Sequence, residues 1–214
     1  MTPSIPRPPR RPRRSQRIWP PNTGAAATVA FGFTGLLYVV EFLDVTLYAG
    51  RLDLYGIVPR SPHGLDGVLF APLLHAGWDH LMANTVPVLV LGFLAMAGGG
   101  RQWFTVTATI WLVGGIGVWL TGAPGTITVG ASGVIFGWLT FLLIRGWFNR
   151  SIMQILLGIA LFVFWGGMLW GVLPGADGIS WQGHLFGAIG GIVAAWMVGQ
   201  ASRPVGVPRR TAVP

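Results

Sequence analysis

Six stretches of this chain are too apolar, and too nearly free of charge, to be covered by water. That limits the fold more than any motif does. They run over about 25–48, 77–97, 102–121, 132–147, 152–173 and 182–200. A bilayer core about 30 Å thick takes about 20 apolar residues as helix. Charged residues make up only 9% of the chain, against about a quarter in an ordinary soluble domain. Joints rich in glycine and proline, such as "TGAPGTITVG" and "VLPGADGIS", separate several of the stretches. No repeat of fixed period is visible. The expectation is an all-α membrane protein, a six-transmembrane-helix bundle over residues 25–200. Residues 1–24 and 201–214, rich in proline, arginine and small residues, read as disordered basic tails.

The net charge is +8, and all 14 basic residues are arginine. A surplus of this size raises the question of nucleic acid, but its distribution argues for a membrane protein without a nucleic-acid partner. Arg7, Arg10, Arg11, Arg13, Arg14 and Arg17 fill the N-terminal tail, and Arg203, Arg209 and Arg210 lie in the C-terminal one. With the N-terminus inside, Arg101, Arg145 and Arg150 join them, giving twelve arginines inside against Arg51 and Arg60 outside. The positive-inside rule therefore predicts that both termini are cytoplasmic, with the tails against anionic lipid. The chain has no cysteine, which excludes disulfides, thiolate catalysis and cysteine metal sites. The first apolar run is too long for the core of a cleavable signal peptide. Arginine without lysine, with abundant glycine, alanine and proline, points to a GC-rich bacterial gene, and so to the plasma (inner) membrane as location.

On this topology the second, fourth and sixth stretches run from outside to inside. Their outer ends carry the polar residues: His80 and Asn84, Ser132, and His184. All four fall at one depth. The fourth stretch is short, since about 16 residues make roughly 24 Å of helix. It cannot cross the hydrocarbon core alone, so Ser132 is expected below the outer surface. Irregular backbone at that depth survives only where protein buries it or water reaches it. A cavity open to the outside, with Ser132 at its floor, meets that condition.

A serine hydroxyl becomes a nucleophile when a base takes its proton, and histidine titrates in the right range. Ser132 and His184 are the candidate pair. Asp177 precedes the sixth stretch and is a weaker candidate for a third member. Acyl transfer also needs donors for a developing oxyanion. His80 and Asn84, spaced i, i+4, share a helical face and both can donate. The free N–H groups at the start of the fourth helix, that of Ser132 among them, can do the same. Gly133 and Gly137, and Gly183 and Gly187, make G-x-x-x-G steps that let the two helices approach in lipid, with Gly191 on the His184 face. Taken alone, each feature has a plainer reading, such as a helix cap or simple packing; their convergence favours chemistry. The nucleophile elbow fails because Val134 stands where glycine is required, and a phosphate loop fails for want of lysine. His75, His80 and Asn84 do not match a zinc helix motif, so no metal is expected. Glu41 and Asp44 could mark an ion path, though an interfacial position or a role in orienting the following loop is the stronger reading.

"HAGWDHLMANTVPVLVLG" (75–92), "GASGVIFG" (130–137) and "GHLFGAIGG" (183–191) together resemble the three signature blocks of the rhomboid intramembrane serine proteases. The resemblance implies a six-helix core in which Ser132 is the nucleophile and His184 the general base. It implies that His80, Asn84 and Gly130 form the oxyanion and substrate-binding set, with the Ser132 N–H and neighbouring loop amides. Gly130, Gly133 and Gly187 match small positions that admit a strained loop and close helices, and His75 matches the upstream histidine of the first block. Substrates of the family are membrane-anchored proteins cut in or near their transmembrane segments, without metal or cofactor. The first loop, "RLDLYGIVPRSPHGLDGVLFAP", lacks the Trp-Arg pair that many rhomboids carry. A rhomboid-like binder that holds membrane clients without cutting them is the alternative, although inactive relatives typically lack the serine or histidine. A small transporter built on Glu41, Asp44 and the histidines is a third, weaker class.

Overall fold

The computed structural model describes residues 16–175 and 178–202. Asp177, Arg7, Arg10, Arg11, Arg13, Arg14, Arg203, Arg209 and Arg210 lie outside the described residues, as does most of both expected tails. The long helices are α1 (Thr23–Leu43), α3 (Trp78–Ala95), α4 (Gly100–Thr121), α5 (Ser132–Asn149), α6 (Ile152–Trp165) and α7 (Trp181–Ala201), with a single-turn α2 (Gly67–Phe70) between α1 and α3. A 3-10 stretch, Gly166–Val172, continues α6. Among the described residues there is no strand, only an isolated antiparallel bridge between Ile57 and Thr128.

Helix boundaries follow local chemistry. Asn22 caps α1 by accepting the Ala25 N–H at 2.9 Å. Ser180 caps α7 in the same way, accepting from Gly183 at 3.2 Å. Gly77, with φ +94°, turns the chain into α3, a conformation that side chains other than glycine rarely adopt. The first helix does not run uniformly to residue 48. Its end, Asp44–Tyr48, widens into a π turn closed by left-handed Ala49. There Asp44 Oδ1 accepts the Leu52 N–H at 2.8 Å and tethers the loop that follows. Order also reaches further back than residue 25: the Gln16 amide donates to the Asn149 carbonyl at 3.2 Å, and the Gln154 amide to the Arg17 carbonyl at 2.9 Å. Polar pairing at the α5–α6 turn thus holds the chain before α1.

Among the described residues, five stretches are long and apolar enough to cross a membrane: Thr23–Tyr48, Trp78–Gly98, Gly100–Thr121, Ile152–Val172 and Trp181–Ala201. The protein is a multi-pass integral membrane protein. The remaining long helix, α5, is the centre of the bundle. Trp138, Phe141, Ile135, Leu139 and Leu142 are fully buried on it, packed among α3, α4, α6 and α7. Its lower average hydropathy is compatible with burial because protein, not lipid, surrounds it. Arg145, near its end, is 1% exposed and lies over the Phe141 ring at 5.5 Å.

Glycine lets α5 and α7 meet backbone to backbone. A methyl on Gly187 would collide with the Gly133 carbonyl, and one on Gly191 with the Gly137 carbonyl and Thr140 Oγ. A methyl on Gly137 would be 2.8 Å from the Gly187 carbonyl oxygen and would also strike Ile110 of α4. The Thr140 hydroxyl reaches the Ala188 carbonyl across this seam at 2.9 Å.

Candidate functional site

Ser132 is the first residue of α5 and His184 lies in the first turn of α7, so the glycine seam sets their separation. Ser132 Oγ and His184 Nε2 are 3.0 Å apart. On the far side of the ring, His184 Nδ1 lies 3.0 Å from the Gly171 carbonyl oxygen. A carbonyl only accepts, so Nδ1 carries the ring proton and Nε2 offers a lone pair to the serine hydroxyl. Phe136, one turn after Ser132, stacks on the imidazole with ring centroids 4.0 Å apart and planes 5° from parallel. The ring is thereby fixed in position, tilt and tautomer by a backbone carbonyl and an aromatic face.

Gly171 and Phe136 were not among the sequence-level candidates. Phe136 could have been found from its i, i+4 spacing to Ser132 on the helix face. Gly171 acts through its backbone, for which residue type gives no signal beyond small size. A methyl there would lie 3.0 Å from both His184 Nδ1 and Phe136 Cζ.

The second wall of the site comes from the chain around Gly77 and from α3. His80 Nδ1 accepts the Ala76 N–H at 3.4 Å, leaving the proton on Nε2. Gly130, with φ +119°, lies over the His80 ring: a methyl there would be 2.7 Å from Cε1 and 2.9 Å from Nε2. The Gly130 N–H is already given to the Ala71 carbonyl at 2.8 Å, so Gly130 supplies room and not a donor. Asn84 is buried, and its amide donates to the His80 carbonyl at 2.9 Å, which leaves its second N–H available. His75 accepts the Ala131 N–H through Nε2 at 3.4 Å and meets His80 edge to face at 5.1 Å between ring centroids. Burial, with His80 alongside, pushes the His75 imidazole down to about 4, so it is neutral at ordinary pH.

The loop 122–131 is held by its bridge to Ile57, where the two backbone bonds to Thr128 are 2.9 and 3.0 Å. Beside it, a cavity of about 370 Å³ is lined by His80, Thr126, Thr128, Ser180 and Gln182. A separate narrow cavity of about 40 Å³, which shares Thr128, Val129 and Ser180 with it, is lined by Gly130, Ser132 and Gly133 and is wide enough for a water molecule. Behind His184 a mostly apolar cavity of about 470 Å³ is bounded by Phe136, Met168, Trp170, Leu173 and Trp181. The arrangement offers a hydroxyl with a base, unspent donors at its side, and polar space for a carbonyl substrate and water.

Glu41 and Asp44 stand apart from this site. Both are buried. Asp44 orients the loop through Leu52, whereas both Glu41 carboxylate oxygens are buried without a hydrogen-bond partner. Asp53, in that loop, is pushed up to about 6 by burial and by Asp44. Among the described residues no group of three or more His, Cys, Asp or Glu is placed to hold a metal ion.

Residues 63–201 match the Rhomboid domain family model, and the chain belongs to the rhomboid family. Its relatives include an uncharacterized protein of Mycobacterium tuberculosis (strain ATCC 25618 / H37Rv), 45% identical over 209 residues, which cover 93% of this chain and 87% of that protein. An uncharacterized protein of Mycobacterium leprae (strain TN) is 46% identical over 179 residues, covering 80% of this chain and 70% of its own.

Proposed function

We propose that this protein is an intramembrane serine endopeptidase that cuts membrane-anchored proteins in or near their transmembrane segments. In this reading all six long helices cross the plasma membrane of a bacterium, both termini are cytoplasmic, and the site opens outward. Twelve arginines on one side against two on the other support that orientation. The observation that carries the chemistry is the 3.0 Å approach of Ser132 Oγ to a His184 ring whose other nitrogen is occupied by the Gly171 carbonyl.

Ser132 Oγ attacks the scissile carbonyl while His184 Nε2 takes its proton. The oxyanion that develops is met by the Ser132 N–H at the start of α5, by His80 Nε2–H and by the free Asn84 N–H. The imidazolium then returns the proton to the leaving amine, and an acyl-enzyme remains on Ser132. Water from the polar cavity, activated by His184, hydrolyses it. The Gly171 carbonyl stabilises the imidazolium through a dipole where a triad would use a carboxylate.

The test is purified protein in liposomes with a transmembrane substrate whose helix is weakened by glycine or proline. Wild type cleaves it and reacts with a fluorophosphonate at Ser132. Ser132→Ala lowers kcat by on the order of 10⁶-fold and takes no label. Equal cleavage by the two proteins overturns the mechanism, and a wild type that neither cleaves nor labels points to a client-binding protein.

A further inference from the structure

The three successive amides before and at the start of α5 have different fates. Gly130 N–H goes to the Ala71 carbonyl at 2.8 Å, and Ala131 N–H to His75 Nε2 at 3.4 Å. Ser132 N–H, first in its helix, has no acceptor within the helix. Ala131 is 0% exposed, so without His75 its N–H would be a buried orphan. A buried donor left unpaired is costly, which favours rotation of the 130–131 peptide towards another acceptor. That rotation would carry the Ser132 N–H and Oγ with it.

We infer that His75 is a positioning residue, which holds the Ala131 amide inward so that, of the three, only the Ser132 N–H faces a substrate carbonyl. The inference rests on the hydrolytic reading of Ser132 and His184 and adds to it a side chain that touches neither substrate nor the reacting atoms. His75 is 1% exposed and precedes the left-handed Gly77, so the chain turns between His75 and His80 and both rings meet the same loop. The two rings divide the work. His80 lies under Gly130 with its Nε2 proton unspent, while His75 spends its Nε2 lone pair on the backbone. A neutral ring is required for this, because a protonated Nε2 would set N–H against N–H. The depressed basicity of the buried imidazole is consistent with that requirement.

The test compares His75→Leu, which removes the acceptor, with His75→Gln, whose side-chain oxygen restores one. Both are read for kcat, KM and hydrogen exchange of the peptide containing residues 130–132 in detergent micelles. In His75→Leu, kcat is expected to fall by about 30- to 100-fold with KM within about threefold, the loss expected when a preorganised oxyanion donor is displaced. Exchange at the Ala131 amide is expected to rise at least about tenfold. His75→Gln is expected to recover kcat to within about tenfold of wild type and to restore slow exchange. A His75→Leu kcat within about threefold of wild type overturns the assignment, as does an equal loss in both variants. Should His75→Leu fail to fold, His75→Gln decides. Slow exchange with at least about a tenth of wild-type kcat supports the inference, and loss of either overturns it. A wild type that does not cleave, or a Ser132→Ala variant that does, sinks the hydrolytic reading and this inference with it. Cleavage that depends on Ser132 but not on His75 sinks only the latter.

Discussion

Helices α5 and α6 are neighbours in sequence, joined at Arg150 and Ser151, and both are built mostly from large apolar residues. Their environments are opposite. Of the 18 residues of α5, twelve are buried, and they include Thr140, Arg145 and Asn149. Only Gln154, Gly158 and Leu161 are buried in the 14 residues of α6, whose Phe162, Val163 and Phe164 point outward. Apolar composition alone therefore does not say which helix is the core of a membrane protein. In lipid the outside of the bundle is as apolar as the inside, so burial is signalled by small residues and by polar ones that need partners. The core helix carries Ser132 at its first position, and the stretch beyond the end of the shielding helix contributes the Gly171 carbonyl and, through Met168 and Trp170, a wall of the cavity behind His184.

Three substitutions would break or sharpen that contrast. Gly187→Leu drives a side chain into the Gly133 carbonyl and should part α7 from α5. The expected loss is about 3 kcal/mol of stability, with cleavage at background, read from thermal melting in detergent and from the liposome assay. Melting unchanged within a degree would mean that the seam is looser than its geometry implies. Gly171→Ala, past the end of α6, places a methyl 3.0 Å from His184 Nδ1. Melting should shift by less than about 1 kcal/mol, yet kcat should fall by about ten- to a hundredfold, since small misplacement of a reacting group is costly. A normal kcat there would mean that the Gly171 carbonyl does not position the His184 ring. Phe164→Ala, on an 80% exposed residue of α6, should change stability by less than about 0.5 kcal/mol and leave cleavage unaltered. A large effect at that position would mean that α6 packs against something other than lipid.

Much of this arrangement was legible in the sequence because membrane topology turns chain position into depth. Counting residues along three helices expected to run inward puts Ser132, His80, Asn84 and His184 at one expected level, and in the structure Ser132 and His184 are within hydrogen-bond distance. Helix lengths were legible for the same reason, and the expected start of the fourth stretch, residue 132, is the observed start of α5. What escaped was carried by backbone or by local geometry. The Gly171 and Ala71 carbonyls have no side-chain signature. The π turn at Asp44–Tyr48 depends on how Asp44 captures Leu52, and the docking of Gln16 and Arg17 on the α5–α6 turn depends on polar pairs more than 130 residues apart. Asn84 was expected as a donor from its helical face, but its bond to the His80 carbonyl, which occupies one of its two protons, is not visible from spacing.

The Gly171 carbonyl has a consequence for the ways such a protein can be switched off. A partner made of backbone cannot be deleted by a point mutation; it can only be moved. A change anywhere in Gly166–Val172 that tilts this 3-10 stretch would uncouple His184 while every polar side chain of the site stayed in place. Inheritance of the serine and the histidine is therefore necessary for the chemistry but is no guarantee of it, and a silent descendant could keep all three sequence blocks intact.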